Sequence, residues 1–211
     1  MSVEPYPDPR IFACFAEMLD YPHPGLVSAV RKATAMVAAD CGETSALLES
    51  FRDFLRTTPA GRLEEIYTAT FDFEGAFHPY IGHHLLGDSY KRSALLVGLK
   101  ERYRACGVEA ESELPDHLTV VLRFLAACDD AKLKQELIGE ALLPALNKML
   151  GGEQAGCASD QADGEWFVEI GRPATPGPEV SSYRLVLEAL KRMLEPRRLD
   201  ASDTSSRVEA K

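Results

Sequence analysis

Leu47-Leu48-Glu49-Ser50-Phe51-Arg52-Asp53-Phe54-Leu55 is the stretch that decides the fold class. Leu47, Phe51, Phe54 and Leu55 recur at i, i+4, i+7 and i+8, a spacing that a helix gathers on one face and a strand scatters over two. The same period extends outward in both directions. Upstream, Asp8-Pro9 supplies an N-cap and a first helical residue. Phe12, Phe15 and Leu19 then share a face before Tyr21-Pro22-His23-Pro24 stops the helix. A second helix follows Pro24, runs to about residue 40 and ends at Gly42. Downstream, Thr58-Pro59 opens a helix with Leu63, Ile66, Tyr67, Thr70 and Phe71 on its inner side.

Further along, Asp88 is expected to cap a long helix carrying Leu95, Leu99, Tyr103 and Cys106, with Gly107 as its stop. An acidic linker at 109–113 leads through Leu114-Pro115-Asp116-His117 into the stripe Leu118, Val121, Leu122, Leu125 and Cys128. Asp129-Asp130 breaks and recaps the chain. Leu133, Leu137, Ile138, Ala141, Leu142, Leu146 and Met149 form the next face, with a kink expected at Pro144 and a stop at Gly151-Gly152. A last helix over about 179–195 buries Tyr183, Val186, Leu187, Leu190 and Leu194. The expectation is an all-α, single-domain helical bundle over residues 1–195. The glycine- and proline-rich stretch 153–178 forms an irregular link, which Trp166-Phe167-Val168 could pin to the body. Residues 196–211, almost devoid of apolar side chains, are expected to be disordered.

Composition narrows the function. The chain has 211 residues, 45% hydrophobic and 27% charged, with a net charge of −10. That balance suits a globular core and argues against nucleic-acid binding, which gathers Lys and Arg against phosphates. It suits a cationic partner, although many cytosolic proteins are simply acidic. No apolar run approaches the roughly 20 residues that span a bilayer. The opening MSVEPYPDPR has neither a basic n-region nor an apolar h-region, so no secretory signal is expected. Cys14, Cys41, Cys106, Cys128 and Cys157 are scattered without a C-x-x-C pair, which fits a reducing cytoplasm.

The usual nucleotide-binding, nucleophile-elbow and zinc-protease motifs are missing, so nothing positive points to an enzyme and no catalytic residue is assigned. Two polar constellations stand out. The first is DFEGAFHPYIGHHLLG, residues 72–87, where the helical period is lost and three histidines, three glycines and one proline gather. Imidazoles with Asp72, Glu74 and Asp88 leave a zinc or iron site open, but adjacent His83 and His84 diverge and the spacing matches no metal motif. Surface or capping histidines are the ordinary reading, and no metal ligand is assigned. The second is Glu113-Leu114-Pro115-Asp116-His117. There Pro115 sets the chain direction, Asp116 can cap the helix beginning at Leu118, and His117 sits where the helix dipole disfavours its charge.

These stretches carry a resemblance. Tyr67-Thr68-Ala69-Thr70-Phe71-Asp72, then Gly87-Asp88-Ser89-Tyr90-Lys91-Arg92, then Tyr103-Arg104-Ala105-Cys106-Gly107 and Glu113-Leu114-Pro115-Asp116-His117-Leu118 follow one another in order. Together they resemble the NarJ branch of the TorD/DmsD/NarJ family of redox-enzyme maturation chaperones. The wider family writes E-P-x-D-H, so Leu114 stands in place of its proline. The similarity runs over roughly residues 10–150, with a weaker match at 181–194.

The resemblance implies a cytoplasmic chaperone that binds the basic N-terminal peptide of a molybdoenzyme catalytic subunit, with respiratory nitrate reductase the best candidate. It implies that the client receives bis-molybdopterin guanine dinucleotide, that the chaperone itself holds no stable cofactor, and that cofactor-biosynthesis proteins join the partner set. Binding such a peptide needs an apolar groove with acidic edges. Tyr67, Phe71, Phe77, Tyr80 and Leu85 are the candidate lining; Asp72, Asp88, Glu113, Pro115, Asp116 and His117 complete the candidate site. The 67–92 region and the 113–117 turn are expected to lie side by side, with His117 near the rim. A histidine-loop metalloprotein and a stable structural subunit of a redox complex are the competing readings.

Overall fold

The computed structural model describes residues 7–38, 42–71, 77–108, 113–151 and 181–195. The structure is all-α, with no β-strand among the described residues and a single isolated antiparallel bridge, Tyr80 to His117. In chain order the helices are α1 (Pro9–Met18), α2 (Leu26–Val37), α3 (Gly42–Thr57), α4 (Ala60–Phe71), α5 (Ile81–Leu86), α6 (Tyr90–Ala105), α7 (Leu118–Ala127), α8 (Ala131–Leu137), α9 (Leu143–Gly151) and α10 (Ser181–Leu194). The link at 153–178 with its Trp166-Phe167-Val168, the tail from 196, and Asp72 lie outside the described residues.

Local signals set the helix ends. The Asp8 carboxylate accepts the Arg10 N–H at 2.9 Å, with Pro9 in the first turn. Asp130 accepts from Lys132 and Leu133 and starts α8. Gly107, at φ 69, takes the left-handed turn that ends α6 and lets the Val108 N–H reach the Tyr103 carbonyl. At Pro144 the expected kink takes a specific form. Proline has no N–H for the Glu140 carbonyl, and the chain upstream widens into a π-helical turn over Ile138–Leu142, where the Leu143 N–H donates to the Ile138 carbonyl.

The apolar faces meet in one large core. α1 packs against α7 and α2, α3 against α2 and α10, and α9 against α10 and α5. Phe12, Phe15 and Met18 of α1 and Val121, Leu122 and Leu125 of α7 are withdrawn from solvent there, alongside Tyr183 and Leu187 of α10. Each such side chain contributes about 1.5–3 kcal/mol relative to leaving it in water. A smaller second core lies between α6 and α7, where Leu99 and Tyr103 meet Val120, Phe124 and Cys128. No helix among the described residues is long and apolar enough to cross a membrane.

Candidate functional site

The segment 77–80 and the turn 113–117 are held together by backbone, as one rung of sheet inside a helical protein. The Ile81 N–H donates to the Asp116 carbonyl (2.9 Å) and the Leu118 N–H to the Pro79 carbonyl (2.8 Å), flanking the Tyr80–His117 bridge. The Phe77 N–H donates to the Thr70 carbonyl at 2.9 Å, which ties the same segment to the end of α4. The turn itself closes through His117 N–H to Leu114 carbonyl, and the Tyr103 hydroxyl donates to the Pro115 carbonyl at 2.7 Å. This arrangement brings α4, α5, α6 and α7 to one place.

Asp116 is the centre of the join. It is 0% exposed, and its Oδ2 accepts from Arg92 Nε at 2.9 Å. Arg92 in turn donates to Asp88 at 3.2 Å. Glycine at 82 is required: a Cβ there would stand 2.6 Å from Asp116 Oδ2 and 3.2 Å from Leu95. Asp116 is therefore not the helix cap that the Pro-Asp pattern suggests. His117 caps α7 instead, its Nδ1 accepting the Thr119 N–H at 3.3 Å and meeting the Thr119 hydroxyl at 2.8 Å. The physical reason is charge: a guanidinium within reach from α6 draws the carboxylate inward, and the imidazole is left to take the free N–H. Asp88 likewise does not cap α6. Ser89 occupies that position without a side-chain cap, and the Asp88 carboxylate faces Arg92.

Above this join opens a cavity of about 440 Å³. Tyr67 and Phe71 of α4, Tyr80, His78, His117 and Tyr21 form its aromatic walls, with Arg92, Glu113 and Leu114 at the edge. The Tyr80 hydroxyl donates to Glu113 Oε2 at 3.1 Å, the Arg92 guanidinium lies 5.6 Å from the Tyr80 ring centroid, and the His117 ring meets Tyr80 edge-on at 5.2 Å. Beneath it Tyr67 and Phe71 pack against Tyr183, 5.7 and 5.2 Å away between centroids, and the Tyr67 hydroxyl donates to the Leu19 carbonyl. The floor is thus fixed by the core, while Tyr21 and Leu114 remain about half exposed at the mouth (51% and 46%).

Of the residues expected at a site, Tyr67, Phe71, Tyr80, Glu113 and His117 line this cavity. His117 is only 7% exposed, so it lies in the wall and not on the rim. Phe77 is absorbed into the main core, where the hydrogen bond to Thr70 directs it, and Leu85 packs against the same core from α5. Asp88 points to solvent, Pro115 supplies its carbonyl to Tyr103, and Asp116 lies behind Arg92 with its charge compensated. Of the carboxylates expected at the site, Glu113 is the one that lines the cavity among the described residues. Tyr21, His78, Arg92 and Leu114 join the lining; the last three stand in the stretches quoted from the sequence but were assigned no part in the groove. Tyr21 reads there as part of a helix stop, and Arg92 as the end of the Gly87–Arg92 stretch; only the fold brings them to the turn.

The histidines form a stacked group. The His78 and His83 rings are 4.2 Å apart and nearly parallel, and His84 Nε2 lies 2.7 Å from the His78 carbonyl. Burial first, then the neighbouring imidazoles, holds His78 below the usual histidine value, and burial does the same for His84 and His117. Neutral rings can stack in this way where charged ones would repel. Among the described residues no group of three His, Cys, Asp or Glu side chains converges as a metal site.

Fold and site define an all-α protein with an open aromatic cavity beside a Pro-Asp-His turn. The chain belongs to the nitrate reductase delta subunit family, whose model matches residues 38–152, a span that contains the turn and nearly all of the cavity wall. It is also similar to the probable nitrate reductase molybdenum cofactor assembly chaperone NarJ of Bacillus subtilis (strain 168), 33% identical over 84 residues. That match covers 39% of this chain and 45% of the relative's length.

Proposed function

We propose that the chain is a cytoplasmic assembly chaperone for a molybdoenzyme of the nitrate reductase type. It binds the basic N-terminal peptide of the catalytic subunit while the client receives bis-molybdopterin guanine dinucleotide and joins its complex. The observation that supports this most is the cavity: it has aromatic walls fixed from below by the core and an open mouth bordered by Glu113. A volume of about 440 Å³ suits a few side chains anchored from a peptide lying across the mouth, and not a buried helix. Tyrosine faces attract a lysine or arginine, Glu113 pairs with it, and the chain's net charge of −10 draws a basic segment in. No stable cofactor is needed for that work, and proteins of cofactor biosynthesis would meet the client on this chaperone.

Isothermal calorimetry with a synthetic N-terminal peptide of the cognate catalytic subunit tests the proposal. Tyr80→Ala and Glu113→Gln are both expected to weaken binding about tenfold or more, which is about 1.4 kcal/mol. Unchanged affinity in both variants would move the site elsewhere, and no binding by the unaltered chain would overturn the reading. The family's description as a subunit supports a second reading, permanent association. Co-elution with the mature enzyme would favour it, whereas a chaperone releases its client.

A further inference from the structure

α6 is apolar on two opposite sides. Leu99 and Tyr103 are buried in the second core, and Leu95 packs beside them. On the opposite side Tyr90, Ala94 and Val97 follow one another at i, i+4 and i+7 and form an exposed ridge. Tyr90 is 88% exposed and Val97 61%, the two most exposed large apolar side chains among the described residues. The inner side holds the helix to the core; the outer ridge faces water.

Cations border the ridge on both flanks. At about 100° per residue, Lys91 and Arg102 lie along one side of it, and Lys100 and Arg104 along the other. All four are exposed, and among the described residues none of them is paired with a carboxylate. Arg92, the fifth cation of the helix, is turned inward to Asp116. Glu101, toward the C-terminal end of the ridge, is the one carboxylate of α6. The whole chain carries a net charge of −10, so this concentration of basic charge is a local feature.

We propose that this face of α6 docks the protein on a bilayer surface rich in anionic lipid. The ridge is the convex side of a single helix, so both rows of cations reach the same plane of headgroups. Their long apolar stems let the charged ends meet phosphates while Tyr90 and Val97 enter the boundary layer. A tyrosine suits that boundary, with an apolar ring and a hydroxyl that stays wet. An acidic protein would match the charge too, but a convex ridge offers anchors and no pocket to receive them, whereas a lipid surface needs none. Attachment through four screened cations and two apolar side chains is reversible and falls with salt. The cavity lies on the side from which Arg92 reaches Asp116, so this inference does not depend on what occupies the cavity.

The test floats the full chain with vesicles of mixed phosphatidylglycerol and phosphatidylcholine, and with vesicles of phosphatidylcholine alone. The chain is expected to float with the anionic vesicles at low ionic strength and to stay behind with the neutral ones. Salt at about 1 M, where the Debye length falls to about 3 Å, is expected to release it. Lys100→Glu combined with Arg104→Glu should lower binding at least about tenfold, and Tyr90→Ser with Val97→Ser about threefold. Tyr90→Trp, placed in a chain whose one native tryptophan is removed by Trp166→Phe, should emit further to the blue on anionic vesicles. No flotation of the unaltered chain, or flotation that the Glu pair leaves unchanged, would overturn the proposal. An unshifted emission from floated protein would place the contact elsewhere and overturn it as well. So would calorimetric binding of an oligoglutamate peptide, lost in the Glu pair, by a chain that does not float; the face would then belong to an acidic protein.

Discussion

The α1–α7 interface and the joint between α5 and the 113–117 turn are neighbours built on opposite principles. Phe12, Phe15 and Met18 meet Val121, Leu122 and Leu125 by apolar burial alone, every one of them 1% exposed or less. Such contacts have no required direction, so many side chains of similar volume would serve. The α5 joint contains Ile81 and Leu118 too, but its register comes from two backbone hydrogen bonds, one buried ion pair and one glycine. Each of these has a fixed geometry, and each fails if one partner changes. The difference separates stability from shape. The first region decides whether the chain is folded; the second decides where the cavity mouth lies.

Phe15→Ala is expected to break the first region with the largest effect, a loss of about 3–5 kcal/mol for an aromatic ring removed from a closed core. Urea unfolding measures it. Peptide affinity of the molecules that remain folded should be unaltered, because the ring does not line the cavity. Asp116→Asn should cost less, about 2 kcal/mol, since Arg92 keeps Asp88 as a partner and the side-chain shape is retained. Its signature is different, however: α5 and the turn lose their register, so calorimetric affinity falls along with stability. If Asp116→Asn loses stability and binds peptide as before, the joint is a structural contact only and the contrast between the two regions disappears.

The same contrast explains what the sequence reveals. Apolar period alone locates α1, α3, α4, α7 and α10, and most inward residues read from it are buried; Leu47, Phe54 and Tyr67 are only partly so, and Leu48, not on the stripe, is fully buried. A period of 3.6 is a property of neighbouring residues, visible without knowing the fold. The cavity was only half legible. Tyr80 and His117 stand out in the two polar stretches, and Tyr67, Phe71 and Glu113 are marked by the resemblance and the groove that it implies. The role of Asp116 is hidden in the sequence because a carboxylate after proline is the ordinary N-cap pattern, and the cation that claims it lies on α6, twenty-four residues earlier. Tyr21 is on a turn position that carries no local mark of function, and the stretch that marks Arg92 does not tell which carboxylate it meets. Long-range polar pairing leaves no period, and so the joint could not be read as the core was.

The smallest expected effect sharpens the comparison by acting on the joint and leaving the apolar core untouched. His117 faces the carboxylates of Glu113, Asp20 and Asp116, which favour its charge, and Arg123, which opposes it; burial outweighs them and lowers its value below 6.5. His78 and His84 are lowered in the same direction by burial. Below 6.5 the unfolded chain therefore binds more protons than the folded one, so stability is complete above that pH and declines as pH falls. Protonation of Nδ1 would also remove the acceptor that caps α7. Unfolding in urea at about pH 7.5 and about pH 5.5 should show this decline. His117→Asn keeps a cap of the right kind without a titrating group, and is expected to reduce the decline while leaving stability at the higher pH nearly the same. An equal decline in the variant would assign the pH dependence to His78 and His84. The turn would then be insensitive to protonation, and its connection to the cavity purely geometric.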